Sequence, residues 1–142
     1  MPVLLPVFRL HNVARRALAD AIADEAWVHE AGLRPGCFGV LRSVAASDEA
    51  LSQRELSDRL GIDPSDIVGL VDVLEGAGLV ERRRDEADRR RYALELTDEG
   101  WAAVERFDEL AGRVSDALLA NLTDAEQAEL ARLVAKALAD PA

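Results

Sequence analysis

The sequence predicts a mainly α-helical protein that carries one small β-hairpin. Ala and Leu dominate its apolar residues while aromatic residues make up only 4% of the chain, a composition that favours packed helices over a large sheet. Apolar residues recur at three- and four-residue spacing along most of the chain, and the period changes to two after Gly78. The length of 142 residues is typical of one domain, so we expect a single domain over residues 1–142.

The N-terminal third predicts two helices. Apolar residues at helical spacing predict a long first helix from about Val7 to Ala31, which Gly32 ends. The turn around Pro35 then leads into a second helix that ends near Ser47.

Two short helices follow, each with a clear start signal. Ser52 and Glu55 have the spacing of a capping box that opens a helix over 53–60. After Gly61, Asp63 is placed to cap a further helix that ends at Gly76. Two short helices joined by a tight glycine-containing turn are typical of a helix-turn-helix.

The alternating pattern after Gly78 predicts a hairpin with strands at Leu79–Arg82 and Tyr92–Leu96. A hairpin directly after a helix-turn-helix is a wing. Two more helices follow, one from Thr97 to about Asn121 and one opened by a second capping box at 123–126.

The segment Arg82–Arg91 forms the predicted tip of the wing and holds six arginines, although the formal net charge of the chain is −10. Positive charge gathered on one short polar segment indicates contact with a polyanion, whereas an isolated charge run is more often a solvated loop. The acidic total argues against a general nucleic-acid binder.

Several function classes find no support in the sequence. The single cysteine, Cys37, excludes an intramolecular disulfide and fits a reducing cytoplasm. We expect a cytoplasmic protein with no membrane partner, because neither a signal peptide nor an apolar run of membrane-spanning length is visible. His11, His29 and Cys37 lack the spacing of metal ligands, and no acid–base or nucleophile motif predicts an enzyme or a cofactor.

Three linked segments resemble the signature "G-L-V-x-R … D-x-R … L-T-x-x-G" of the MarR/SlyA family of winged helix-turn-helix transcriptional regulators. They are residues 78–82, 88–90 and 96–100. The resemblance implies a homodimer whose helices, at about 1–32 and 101–142, intertwine beside a winged helix-turn-helix at about 33–100. It also implies a pseudo-palindromic double-stranded DNA operator with half-sites roughly 10 bp apart.

The same resemblance assigns roles in the wing. Arg90 matches the family's arginine that enters the minor groove, where a planar and weakly hydrated guanidinium is well suited. Asp88 is expected to orient Arg90. The remaining arginines are expected to contact phosphates; they are Arg83, Arg84, Arg89 and Arg91.

The expected recognition helix departs from the family. Members often carry basic residues where this chain has Gly69 and Val73, and no Lys or Arg occurs from Asp63 to Glu75. Polar candidates for DNA contact remain at the starts of the two short helices: Ser65 and Asp66 on the second, Gln53 and Arg54 on the first.

The resemblance further implies a pocket for a small aromatic or phenolic effector that releases a repressor from DNA. Five residues are candidate lining residues, although ordinary packing explains each one taken singly: Arg15, Trp27, His29, Phe38 and Trp101. Cys37 is either a buried structural residue or a redox sensor. The alternative function is a ligand-sensing or interaction module of the same fold that binds DNA weakly or not at all.

Overall fold

The computed structural model describes residues 2–139 and has seven helices and three short strands within them. The helices are α1 Leu4–Ala23, α2 Ala26–Ala31, α3 Gly36–Ala46, α4 Gln53–Leu60, α5 Pro64–Gly76, α6 Asp98–Leu118 and α7 Asp124–Leu138. The strands are β1 Leu51–Ser52, β2 Val80–Arg84 and β3 Tyr92–Leu96. The predicted class, mainly helical with a small β-hairpin wing, is confirmed.

The chain forms two compact units. One comprises the residues up to Leu18 together with those from Ala111 on, and the other comprises Ala19–Leu110. The second unit contains the helix-turn-helix, the wing and a core of fully buried side chains that includes Phe38, Leu56 and Ile67.

The helix-turn-helix forms as its capping residues and glycine-containing turn predicted. Ser52 accepts a hydrogen bond from the Glu55 amide at the start of α4, and Gly61 ends that helix in the left-handed conformation. The Asp63 carboxylate caps α5 by accepting from the Ser65 amide. On α5, four apolar residues at helical spacing are buried: Ile67, Leu70, Val71 and Leu74.

The prediction of one long first helix is wrong, because the helix is interrupted after Ala23. Glu25 is extended there, and α2 begins at Ala26. His29 Nε2 lies 2.5 Å from the Ala23 carbonyl oxygen, so the imidazole satisfies a carbonyl that the break leaves free. This contact joins residues six apart, which apolar periodicity does not reveal.

The sheet differs from the prediction in two details. The two-residue strand β1 adds to the hairpin, which gives the antiparallel order β1-β3-β2 with Leu51 opposite Leu94. Strand β2 extends to Arg84, which pairs with Tyr92. Arg83 and Arg84 therefore lie in a strand, and the loop at the tip of the wing is limited to 85–91.

The C-terminal helices match the prediction with one shorter end. Helix α6 stops at Leu118 rather than about Asn121, and the Gln127 side chain donates to the carbonyls of Leu119 and Leu122 just beyond it. The capping box of Thr123 and Glu126 is complete in both directions.

Candidate nucleic-acid interface

The first and third segments of the sequence signature meet where the wing joins α6. Gly78 has a φ of +75°, a conformation that glycine adopts without steric cost, and it turns the chain from α5 into β2. The Thr97 hydroxyl donates to the Gly78 carbonyl at 2.6 Å and accepts from the Gly100 amide at 3.0 Å. The Thr97 amide donates to the Leu79 carbonyl at 3.1 Å. These bonds fix the direction in which the wing leaves the core.

Two aspartates shape the tip of the wing. Asp85 accepts from the Ala87 amide at 2.9 Å, and Asp88 accepts from the Arg90 amide at 3.1 Å. Such turns, in which an aspartate side chain accepts from the backbone two residues on, replace a backbone turn with a side-chain contact. The two aspartates in the arginine run therefore stabilise its backbone turns.

Arg90 is held at the outermost part of the wing. Its side chain is 92% exposed, and its Nε donates to the Asp88 carboxylate at 3.2 Å. The hydrogen bonds from Arg90 lower the pKa of Asp88, so Asp88 stays ionised as its partner. Asp88 stands in the orienting position that the sequence predicted.

The other wing arginines have different environments. Arg83 contacts the carboxylates of Glu81 and Glu95 at 3.0 and 3.1 Å. Arg84 donates to the Arg89 carbonyl and lies over the Tyr92 ring, 5.5 Å from its centroid. Among the described residues, no carboxylate pairs with Arg89.

Arg91 connects the wing to the helix-turn-helix. Its guanidinium pairs with Glu55 on α4, and its Nε is in ion-pair contact with Asp85 at 3.1 Å without the alignment of a hydrogen bond. The predicted capping box at Ser52 is therefore only half formed. The Glu55 carboxylate binds Arg91 and does not reach back to Ser52, because a guanidinium is a stronger partner than an amide.

Arg82 was not among the sequence candidates, yet it connects β2 to both helices of the helix-turn-helix. Its guanidinium, 19% exposed, donates to Gln53 on α4 at 2.8 Å and to Asp72 and Glu75 on α5 at 2.6 and 3.0 Å. The guanidinium thus bridges two of the acidic residues on α5 and offsets one of their two negative charges. The signal for this role was the last arginine of the "G-L-V-x-R" segment, but partners seven to 29 residues away are not visible in a sequence.

The start of α4 and the wing enclose a depression of about 470 Å³. Its lining residues are Ser52, Gln53, Arg54, Asp88, Arg90, Arg91 and Tyr92. The predicted candidates for DNA contact on α4, Gln53 and Arg54, thus lie beside Arg90. Because Gln53 Oε1 accepts from Arg82, the side-chain orientation is fixed and its amide N–H groups remain available. A helix N-terminus beside arginines is a suitable place for a phosphate.

The candidates on α5 lie at its exposed start. Ser65 donates its hydroxyl to Asp63 at 2.7 Å, and the hydrogen bonds from Ser65 lower the pKa of Asp63. Asp66 is exposed in the first turn of the helix, where the helix dipole favours a carboxylate.

Of the expected effector residues, Trp27 and Phe38 are in edge contact, with ring centroids 5.7 Å apart. Trp27 lines an apolar depression of about 220 Å³ together with Arg106, whose guanidinium lies 5.5 Å from the Trp27 ring centroid, and Glu99. Trp101 lines a separate depression beside Asp48. Phe38 is core, 1% exposed and stacked on Phe107, and His29 contacts Ala23 as described above. Arg15 lies on α1, in the other compact unit.

Cys37 is fully buried in the first turn of α3, and burial raises the pKa of its thiol. A raised pKa reduces the reactive thiolate, which favours the structural alternative for this residue over a redox sensor.

Within residues 2–139, no helix has the length and apolar character needed to cross a bilayer. The same residues contain no group of three or more His, Cys, Asp or Glu side chains suited to hold a metal ion.

Comparisons with known proteins identify similar chains. The model of the MarR family matches residues 31–91. A putative transcriptional regulatory protein for the hcr operon of Thauera aromatica is 38% identical over 103 residues, which are 72% of this chain and 61% of that protein. The transcriptional repressor MdtR of Bacillus subtilis is 34% identical over 107 residues, 74% of this chain and 67% of the repressor.

A solved structure extends the similarity to nearly the whole chain. Mutant MarR from E. coli complexed with operator DNA superposes with a TM-score of 0.76 at 26% identity, covering 98% of this chain and 95% of that one. The match to the Thauera protein, by contrast, spans about three fifths of that relative's length.

Proposed function

Because this chain belongs to the MarR family of winged helix-turn-helix regulators, we propose that it is a homodimeric DNA-binding transcriptional repressor. The observation that carries the proposal is the wing. An unburied arginine, aimed by a carboxylate two residues before it, stands beside a helix N-terminus that carries a second arginine. Such a protein acts in the cytoplasm, where its operator lies.

The proposed DNA contacts differ in the part of the duplex that each residue binds. Arg90 enters the minor groove, while Arg54, Arg89 and the Gln53 amide bind phosphates on either side of the depression. Ser65 and Asp66, at the exposed start of α5, face the major groove.

Three of the wing arginines have mainly internal roles in this proposal. Arg91 fixes the wing against Glu55, and Arg83 and Arg84 support β2 through Glu81, Glu95 and Tyr92. Their positive charge still attracts the duplex from a distance.

The experiment is a titration of duplex fragments from the region flanking the protein's own gene, at several salt concentrations. We expect log K to fall linearly with log salt, with a slope of about −0.9 for each phosphate contacted. If the fragments bind no better at low salt than at high salt, the chain is a ligand-sensing or interaction module of the same fold and the regulator proposal is wrong.

The homodimer is supported by apolar side chains that a single chain leaves exposed on two helices. No residue of α7 is buried, and large apolar side chains on α1 and α7 stand in solvent. They are Leu4, Leu5, Val7, Phe8, Leu10, Val13, Leu133, Val134 and Leu138. Exposed apolar surface of this extent indicates an interface, and a second copy supplies the same helices in a two-fold arrangement.

Val7→Glu should weaken the dimer, because Val7 is 53% exposed in the single chain and would become an unpaired carboxylate in the interface. We expect the dimer dissociation constant to rise roughly tenfold, about 1.4 kcal/mol, in sedimentation velocity runs at micromolar concentration. Ala87→Glu adds the same charge at an exposed position of the wing loop, outside α1 and α7, and should leave association unchanged. A wild-type chain that sediments as a folded monomer would rule out the dimer.

Effector release is proposed for the depression beside Trp27. Its walls are largely apolar, and Arg106 and Glu99 provide the polar groups that orient a small ligand. The guanidinium suits an aromatic anion. Repeating the DNA titration with sodium salicylate as a probe should lower the affinity and quench Trp27 fluorescence. Quenching without any loss of DNA affinity would contradict release.

A further inference from the structure

Gly69 lies near the middle of the outward face of α5. Residues separated by four and seven positions share one side of a helix, so Gly69 is on the same side as Ser65 and one turn from Asp72. The buried residues of α5, such as Ile67 and Val71, occupy the opposite side. In the proposed function this outward face enters the major groove, yet Gly69 offers it no side chain.

A guanidinium from another element lies at this position. A Cβ atom built on Gly69 would be 3.1 Å from a terminal nitrogen of Arg34, and no other atom outside the helix backbone lies within 4 Å. Arg34 belongs to the turn between α2 and α3 and is exposed. Its charged group therefore lies against α5 in the space that a side chain at Gly69 would occupy.

The charge of Arg34 is uncompensated. Arg82, Arg83 and Arg91 each pair with carboxylates, whereas within residues 2–139 no carboxylate pairs with the Arg34 guanidinium. An exposed arginine without an acidic partner keeps its donors free for a phosphate or a base edge.

We propose that Arg34 supplies the DNA-binding cation that the recognition helix α5 itself lacks, with Gly69 leaving the space in which its guanidinium lies. The proposal rests on the proposed DNA-binding function. It accounts for how a helix with no Lys or Arg, three acidic residues and an aspartate as its N-cap approaches a duplex. Arg82 bridges Asp72 and Glu75 and offsets one of their two negative charges, and Arg34 presents a positive group at the outer surface.

The test compares four proteins on one labelled duplex from the flanking region of the gene. We expect Arg34→Ala to lower the affinity about tenfold and to reduce the salt slope by about one, the effect of losing one contact to the duplex. Arg132→Ala is the matched control, because it removes the same charge from α7, where Arg132 pairs with Glu129. It should change the affinity less than twofold.

A compensating substitution makes the test specific. Arg34→Ala combined with Gly69→Lys returns a cation to the same place, now carried by α5, and should recover most of the lost affinity. Thermal melting checks that the fold is kept, which we expect because the Arg34 side chain makes no hydrogen bond to any other residue between 2 and 139.

The outcomes separate this inference from the function on which it rests. If Arg34→Ala binds like Arg132→Ala, or if Gly69→Lys fails to restore binding in a stable protein, the role of Arg34 is wrong while Arg90→Ala still weakens the complex. If the wild type does not bind the duplex at low salt, the proposed function itself fails.

Discussion

Gly100→Ala is expected to destabilise the protein by about 3 kcal/mol, at the upper end of the cost of overpacking. A Cβ on Gly100 would lie 2.0 Å from the Leu79 carbonyl oxygen and 3.1 Å from its carbon. These are backbone atoms that cannot rotate away. The same carbonyl accepts from the Thr97 amide, so relief of the clash would pull the start of β2 away from α6.

Thermal unfolding followed by circular dichroism measures this effect, and a loss of about 3 kcal/mol corresponds to a melting temperature lower by roughly 10 °C. Gly76→Ala is the matched control. Gly76 is the last residue of α5, and a Cβ there meets nothing within 4 Å. Alanine at this position should be neutral or slightly stabilising. Equal melting temperatures for the two variants would show that the chain accommodates a side chain at Gly100.

Arg90→Ala is expected to weaken DNA binding by roughly 1–3 kcal/mol, between about fivefold and 150-fold, and to leave the melting temperature unchanged. The side chain is 92% exposed and contacts only Asp88, so its removal leaves the fold intact. Fluorescence anisotropy with a labelled duplex from the flanking region measures the affinity, and Arg132→Ala again controls for the loss of one positive charge.

Asp88→Ala distinguishes two roles for the acidic partner. If Asp88 orients Arg90, its removal should lower the affinity by a few-fold, although the substitution makes the protein less negative. If Asp88 acted on the duplex only by repulsion, the affinity should rise. A higher affinity for Asp88→Ala would therefore contradict the orienting role, whatever the result for Arg90→Ala.

The signature residues illustrate what a local pattern can and cannot predict. The "L-T-x-x-G" segment predicted the start of α6 at Thr97 and Asp98. Why the fifth position is glycine follows only from the fold, since the obstructing carbonyl belongs to Leu79, 21 residues earlier. Likewise, Glu55 was predicted to complete a capping box, and the structure pairs it with Arg91, 36 residues later.

The sequence by itself determined the elements whose causes are local. The caps at Asp63 and Thr123, the left-handed glycines at 61 and 78, and the change of period after Gly78 each depend on neighbours within a few residues. They were sufficient to predict the helix-turn-helix, the wing and the outward position of Arg90. The contact between Asp88 and Arg90 was also predictable, because it spans two residues.

Only the tertiary structure decided which charges are free. The sequence shows six equivalent arginines in the wing segment and four acidic residues in the segment 63–75. Packing α4, α5 and the hairpin together assigns Arg82 to Asp72 and Glu75, assigns Arg91 to Glu55, and brings Arg34 to Gly69. The physical reason is distance along the chain. The partner of each of these side chains depends on how loops of up to tens of residues close. The periodicity of apolar residues along the sequence gives no information about that closure.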